Sequence, residues 1–184
     1  MKQRKIFLGI ALPADASKRI ASRMEQFESL PLRLTKRQNL HVTVLFLGHV
    51  LDESVAEICE QVTDVCSTIP AFDIDLDTIS LVPEQGRDAK QFWYHGESNE
   101  QLKSLREALE MALDMFTVEK KQFRPHVTLG RIRKNLWQER EEYPVINESL
   151  KLHLPVDSVI VYESIFKKGD GLTYEVLAEC PLVY

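Results

Sequence analysis

One four-residue phrase occurs twice in the chain, as His41-Val42-Thr43-Val44 and as His126-Val127-Thr128-Leu129, 85 positions later (126 − 41). Each copy lies in an apolar, β-branched run, Leu40 to Leu47 and His126 to Ile132, whose composition predicts a strand. Successive strand side chains point to opposite faces, so His and Thr at i and i+2 share one face. Val42 and Val44, or Val127 and Leu129, share the other and can anchor it in a core. The fold therefore has to accommodate two matching half-sites, each polar on one side and apolar on the other.

Overlaying the halves at that offset puts Phe7 on Phe92, Lys18 on Lys103, Ile20 on Leu105, Met24 on Leu109 and Glu25 on Glu110. The order strand, helix, His-x-Thr strand recurs in both halves. This predicts an α+β fold of two lobes related by a pseudo-two-fold axis. Each lobe is a mainly antiparallel sheet with helices on its outer face, and the central cleft lies between the two His-x-Thr strands. No Gly-, Ser- or Pro-rich linker separates the halves, so residues 1–184 read as one bilobal domain.

In chain order, Lys5 to Leu12 predicts a first strand and Pro13-Ala14-Asp15 opens a helix to about Ser29 with Ile20, Met24 and Phe27 as its buried stripe. Leu32 to Thr35 forms a brief strand. Asp52 caps a second helix with Val55, Ile58, Val62 and Val65 on one side, and Phe72 to Leu76 alternates as a half-exposed strand that continues towards Val82. Gln91 to His95 is another strand. Ser98, with Gln101 completing a capping box, starts a helix striped by Leu102, Leu105, Leu109, Ala112 and Met115. Residues 134–150 are charged and weakly patterned, a loop with a helical turn. Two strands, Val156 to Phe166 and Leu172 to Leu182, flank a hairpin turn at Lys168-Gly169-Asp170-Gly171.

A net charge of −5 argues against a broad basic surface for duplex nucleic acid but permits a local basic cleft. No apolar run approaches the roughly 20 residues that span a bilayer. A cytoplasmic location is expected. Cys59 and Cys66 lie seven residues apart in one helix, about 10 Å along its axis, too far for a disulfide. Cys180 stands alone, so reduced, buried thiols are expected.

An isolated strand histidine is usually a hydrogen-bonded structural residue, and this is the reading for His49, His95 and His153. The paired histidines differ because strand type, flanks and half-repeat position agree. Catalytic zinc ordinarily takes three protein ligands, and the partner at i+2 here is Thr, a poor metal ligand and a good hydrogen-bond donor. No nucleophile elbow of the GxSxG kind is present. Two histidines and two hydroxyls suit a phosphodiester. With an ordinary pKa near 6.5, one imidazole can be neutral and accept a proton from water while the other gives one to the leaving oxygen. The hydroxyls of Thr43 and Thr128 can stabilise the charge on the non-bridging oxygens. No cofactor and no metal are expected.

The doubled motif resembles the two-histidine (2H) phosphoesterase superfamily. Asn39 to Gly48 and Phe123 to Arg131 are similar to its bacterial RNA 2′,3′-cyclic phosphodiesterase branch, the 2′-5′ RNA ligase-like proteins. The likeness extends to Ile6-Phe7-Leu8-Gly9-Ile10, to Tyr162-Glu163-Ser164 and to Gly171-x-x-Tyr174. It implies opening of a ribose 2′,3′-cyclic phosphate to a 2′-phosphate, with His41 as proton donor to the 3′ oxygen and His126 as the base that activates water. It also implies that Thr43 and Thr128 hold the phosphate, that Arg131 helps bind it and that Phe46 packs on base or sugar. Strict alternation would turn Phe46 and Arg131 away from the histidine face, so a bulge or strong twist must intervene. Arg33, Lys36 and Arg124 are either cleft cations or isolated surface charges, and Trp93 and Tyr94 read as core. The expected partners are RNA ends or small nucleotides carrying the cyclic phosphate, with no membrane and no obligatory protein partner, and the protein is expected to be a monomer. The alternatives are end-joining as a 2′-5′ RNA ligase, the reverse reaction, and a non-catalytic nucleotide- or RNA-binding module.

Overall fold

The apolar runs form a single nine-stranded sheet in the computed structural model, which describes residues 2–84, 86–116, 123–169 and 171–184. The strands are β1 (Gln3–Ala11), β2 (Leu32–Leu34), β3 (His41–Leu51), β4 (Phe72–Val82), β5 (Gln91–His95), β6 (His126–Ile132), β7 (Asn147–Val156), β8 (Ser158–Lys167) and β9 (Gly171–Pro181). Their order across the sheet is β7-β4-β5-β6-β3-β1-β8-β9, with β2 on β6, and every strand pairing is antiparallel. The order is a mirrored pair of quartets, β6-β5-β4-β7 and β3-β1-β8-β9. The pseudo-symmetry is therefore real, but the quartets are not sequence halves, because β8 and β9 return to pair beside β1.

The helices are α1 (Ala14–Met24), α2 (Val55–Cys66), α3 (Glu100–Ala112) and α4 (Lys134–Gln138). Ala16, Ile20 and Met24 recur every fourth residue of α1 and are buried. The helix stops at Met24, and a 3₁₀ turn carries Phe27 onto Phe92 of β5, with ring centroids 4.9 Å apart. Arg23 pairs with Glu148 of β7, so the helix that follows β1 packs on the opposite quartet. Conversely, Arg106 of α3, which follows β5, donates to the Val44 carbonyl of β3 at 3.2 Å. The two quartets are thus interlocked by their crossover helices.

Several local expectations are corrected. Asn99, not Ser98, caps α3: its side-chain oxygen accepts from the Leu102 N–H at 2.8 Å, while its amide donates to the Asp73 carbonyl. Leu113 is fully buried where Met115 was expected, Met115 being 85% exposed, because the helix ends at Ala112 and the turn after it rotates the stripe. Asp52 lies in a 3₁₀ turn ahead of α2 and pairs with Lys2 and Arg4 instead of capping. Residues 147–156 are a strand, β7, that the charged context concealed. Asp170 of the hairpin lies outside the described residues. The three thiols are free, and burial pushes that of Cys66 up to about 12. Among the described residues, no helix is long and apolar enough to cross a membrane.

Candidate active site

The quartets meet at one residue pair, Val42 of β3 with Val127 of β6, both fully buried. The cleft expected between the His-x-Thr strands is thus the surface over a seam where those strands touch. Continuing the register sets His41 against Thr128 and Thr43 against His126. In a regular antiparallel pair this makes the histidines diagonal neighbours about 7–8 Å apart, enough to admit a phosphate between them. The valines hold the seam from below by the same alternation that brings imidazoles and hydroxyls together above it.

Both imidazoles are oriented in the same way. His41 Nδ1 bonds the Asn39 carbonyl at 2.7 Å, and His126 Nδ1 bonds the Arg124 carbonyl at 2.8 Å, in each case two residues upstream. A carbonyl only accepts, so Nδ1 carries the proton and Nε2 is the exchangeable nitrogen. His41 Nε2 lies 2.9 Å from Thr43 Oγ1. Burial pushes both imidazoles below their ordinary pKa of 6.5 against the opposing pull of those carbonyls, and the His126 charge lowers His41 further.

Phe46 and Arg131 reach the histidine face through matching bulges. Along β1–β3, Leu8 faces Leu45 and Gly9 faces Thr43, so Val44 is the extra residue. Along β5–β6, Phe92 faces Gly130 and Trp93 faces Thr128, so Leu129 is extra. Val44 and Leu129 are again 85 positions apart (129 − 44). After each bulge the alternation inverts, and two successive residues are buried before the exposed Phe46 or Arg131. Phe46 packs on Phe7, whose ring also contacts His41, with centroid separations of 5.9 and 4.9 Å. Arg131 faces Gln91, on the same side as the Trp93–Thr128 pair, and its charge is felt by Tyr174.

Four aromatic residues and one glycine escaped sequence reasoning as parts of the site. Phe7, Tyr162 and Tyr174 surround His41, with ring centroids 4.9, 5.8 and 5.1 Å from it. Trp93, read as core, lies flat on His126 at 3.7 Å and 15°. Gly9 passes so close beneath His41 that a Cβ there would lie 3.2 Å from its Cδ2. The available signal was Phe7 and Gly9 in the first strand and Trp93 beside the second histidine strand; the distant Tyr162 arrives through β1–β8 pairing, opposite Phe7, and Tyr174 through β8–β9 pairing. Tyr94 is core, as expected.

The remaining histidines behave structurally. His95 is buried and bonds Ser80 Oγ through Nε2 at 2.8 Å. His153 is exposed between Asp73 and Asp75, whose carboxylates raise its pKa. His49 is exposed. Arg33 of β2 stands opposite Arg131, whereas Arg124 contributes the carbonyl that orients His126.

Comparison with known proteins gives a consistent likeness. The sequence profile described as the 2′-5′ RNA ligase superfamily matches residues 13–165. A Methanocaldococcus jannaschii protein named RNA 2′,3′-cyclic phosphodiesterase is 26% identical over 180 residues, covering 95% of this chain and 99% of that one. A crystal structure of a Thermus thermophilus protein superposes with a TM-score of 0.83 at 22% identity, over 97% of each chain. That of Escherichia coli LigT in apo form gives 0.80 at 22% identity over the whole of both chains.

Proposed function

The chain belongs to the 2′-5′ RNA ligase superfamily, and from that premise we propose that it hydrolyses RNA-terminal or nucleoside 2′,3′-cyclic phosphate to a 2′-phosphate by metal-independent general acid–base catalysis. The observation that carries this reading is the mirrored orientation of His41 and His126, each tied at Nδ1 to the carbonyl two residues back. Two exchangeable Nε2 atoms are left on one face, flanked by Thr43 and Thr128.

His126 takes a proton from water as its oxygen bonds to phosphorus. The P–O3′ bond breaks, and His41 gives its Nε2 proton to the departing 3′ oxygen. The products are a 2′-phosphate and a 3′-hydroxyl. Thr43, Thr128 and Arg131 donate to the non-bridging oxygens as charge accumulates, and Phe46 offers a ring to the sugar or base. The environments support this division of labour. The Trp93 face against His126 stabilises the imidazolium that a base becomes. Burial of His41 makes its proton easier to give.

The relatives named RNA 2′,3′-cyclic phosphodiesterase support the substrate class. The test is incubation with a 2′,3′-cyclic-phosphate oligonucleotide in EDTA, followed by identification of the product. A 2′-phosphate is expected; a 3′-phosphate, or no product without added metal, contradicts the reading.

A further inference from the structure

Beyond the two histidines, β6 continues into a cluster of cations. Arg131 and Arg133 follow the bulge at Leu129, Arg33 of β2 lies directly across from Arg131, and Lys134 begins α4. These four side chains, with Asn135, line an open cavity of about 460 Å³ on the surface. None of the four makes an ion pair with a carboxylate among the described residues, whereas Arg4, Arg23 and Arg106 each do. The chain as a whole is acidic, with a net charge of −5. A local excess of guanidinium and ammonium groups facing one another over solvent is electrostatically unfavourable until an anion enters. Arginines in such a setting recognise phosphate through paired N–H donors.

The cavity is continuous with the proposed catalytic face, because Arg131 belongs to both. Along β6, Thr128 and Arg131 are three residues apart, a span of at most about 10 Å. A phosphate held by the histidines and threonines therefore has the cation cluster within reach of the next phosphate along a nucleic acid strand. Ile132 and Leu136 complete the lining, and every charged group in it is a cation, so the cavity is suited first to an anion.

We propose that the cavity bounded by Arg33, Arg133 and Lys134 is a second phosphate subsite, which receives the 5′-phosphate of the nucleotide bearing the cyclic phosphate. This rests on the function proposed above and sharpens it: the preferred substrate is an RNA 3′ end or a 5′-phosphorylated nucleotide, not a free nucleoside cyclic phosphate. The strand leaves the catalytic face past Arg131 and along the β2–β6 edge. Because the cations recognise the phosphate, the preference for a 5′-phosphorylated substrate is expected with any base.

The experiment compares hydrolysis of adenosine 2′,3′-cyclic phosphate with that of its 5′-phosphorylated counterpart, in wild type, Arg33→Ala and Arg133→Ala. Wild type is expected to favour the 5′-phosphorylated substrate in kcat/KM by about tenfold, the scale of one charge-assisted contact. In each variant that ratio is expected to fall towards one. Binding of adenosine 2′,5′-bisphosphate is expected to weaken more steeply with salt than binding of adenosine 2′-phosphate, since one more phosphate is neutralised. Equal wild-type rates on the two substrates, or variants that lose both activities in proportion, would overturn the subsite. Turnover of the nucleoside substrate separates the two claims. With turnover but no 5′-phosphate preference, the subsite alone fails; with turnover of neither substrate, the proposed function fails first.

Discussion

Gly9 stands opposite Thr43 in β1–β3 as Trp93 stands opposite Thr128 in β5–β6, so the two halves place a glycine and a tryptophan at equivalent positions. The smallest residue leaves room beside His41 for Tyr162, while the largest covers His126 directly. This one difference breaks the symmetry of the two half-sites. It gives the histidines unlike surroundings while the backbone that carries them is repeated.

Trp93 lies flat on His126, and in the proposed mechanism its π face would meet the imidazolium that forms there. Trp93→Phe keeps a flat ring, whereas Trp93→Leu keeps only apolar cover. The expected order of kcat on a 2′,3′-cyclic nucleotide is wild type, then Phe, then Leu, with about tenfold lost at Leu. Equal rates in the two variants would show that the ring acts merely as cover.

A Cβ at Gly9 would lie 3.1 Å from the Val42 carbonyl oxygen, 3.2 Å from His41 Cδ2 and 3.3 Å from Tyr162 Cε2. Gly9→Ala must therefore push the His41 ring or the seam strand. Overpacking of this kind costs about 1–3 kcal/mol, a fall in Tm of about 3–9 °C for a chain of this size. Turnover should fall by an order of magnitude at temperatures where the variant is fully folded by circular dichroism. A cooler-melting variant with wild-type kcat would mean that His41 tolerates the displacement.

Among the described residues Arg131 forms no ion pair with a carboxylate, in contrast to Arg4, Arg23 and Arg106, and it lies on the face proposed to hold the phosphate. Arg131→Ala should lower kcat/KM by about 10–100-fold, the worth of a charged hydrogen-bonded contact. Arg131→Lys should fall between, since a lysine keeps the charge but not the two-pronged geometry. A lysine variant as impaired as the alanine one would point to fork geometry as the whole contribution.

Both imidazoles have pKa values lowered by burial, from 6.5 in each case, and His41 is lowered again by repulsion from His126. A lowered pKa means that the proton is lost at a lower pH. The state with one imidazole charged and one neutral is therefore most populated on the acid side of 6.5. The kcat/KM profile, which reports the free enzyme, should be a bell with its maximum below about pH 6.5. A maximum at pH 7.5 or above contradicts the assignment of these two groups.

Much of the candidate site's geometry was legible because its signal is local and repeated. The His-x-Thr alternation places four side chains by period alone, and the displacement of Phe46 and Arg131 required the bulges that Val44 and Leu129 supply. What escaped was register and long-range pairing. The equivalence of Gly9 with Trp93 and of Thr43 with Thr128 implies offsets of 84 (93 − 9) and 85 (128 − 43), so the overlay of Phe7 on Phe92 was one residue out. The crossover between strands absorbs the difference. Strand β7 was concealed by charges flanking it, although Leu150, Leu152, Leu154 and Val156 do alternate. Tyr162 and Tyr174 come to His41 from more than 120 residues away (162 − 41 = 121), where no local pattern could announce them.

The most direct test of the two-histidine account is single-turnover hydrolysis of a 2′,3′-cyclic-phosphate-terminated RNA in EDTA by wild type, His41→Ala and His126→Ala. Each substitution removes one proton transfer and should slow the chemical step by about 10²–10⁴-fold, with thermal unfolding showing that both variants fold. Turnover within a few-fold of wild type in either variant would contradict the account.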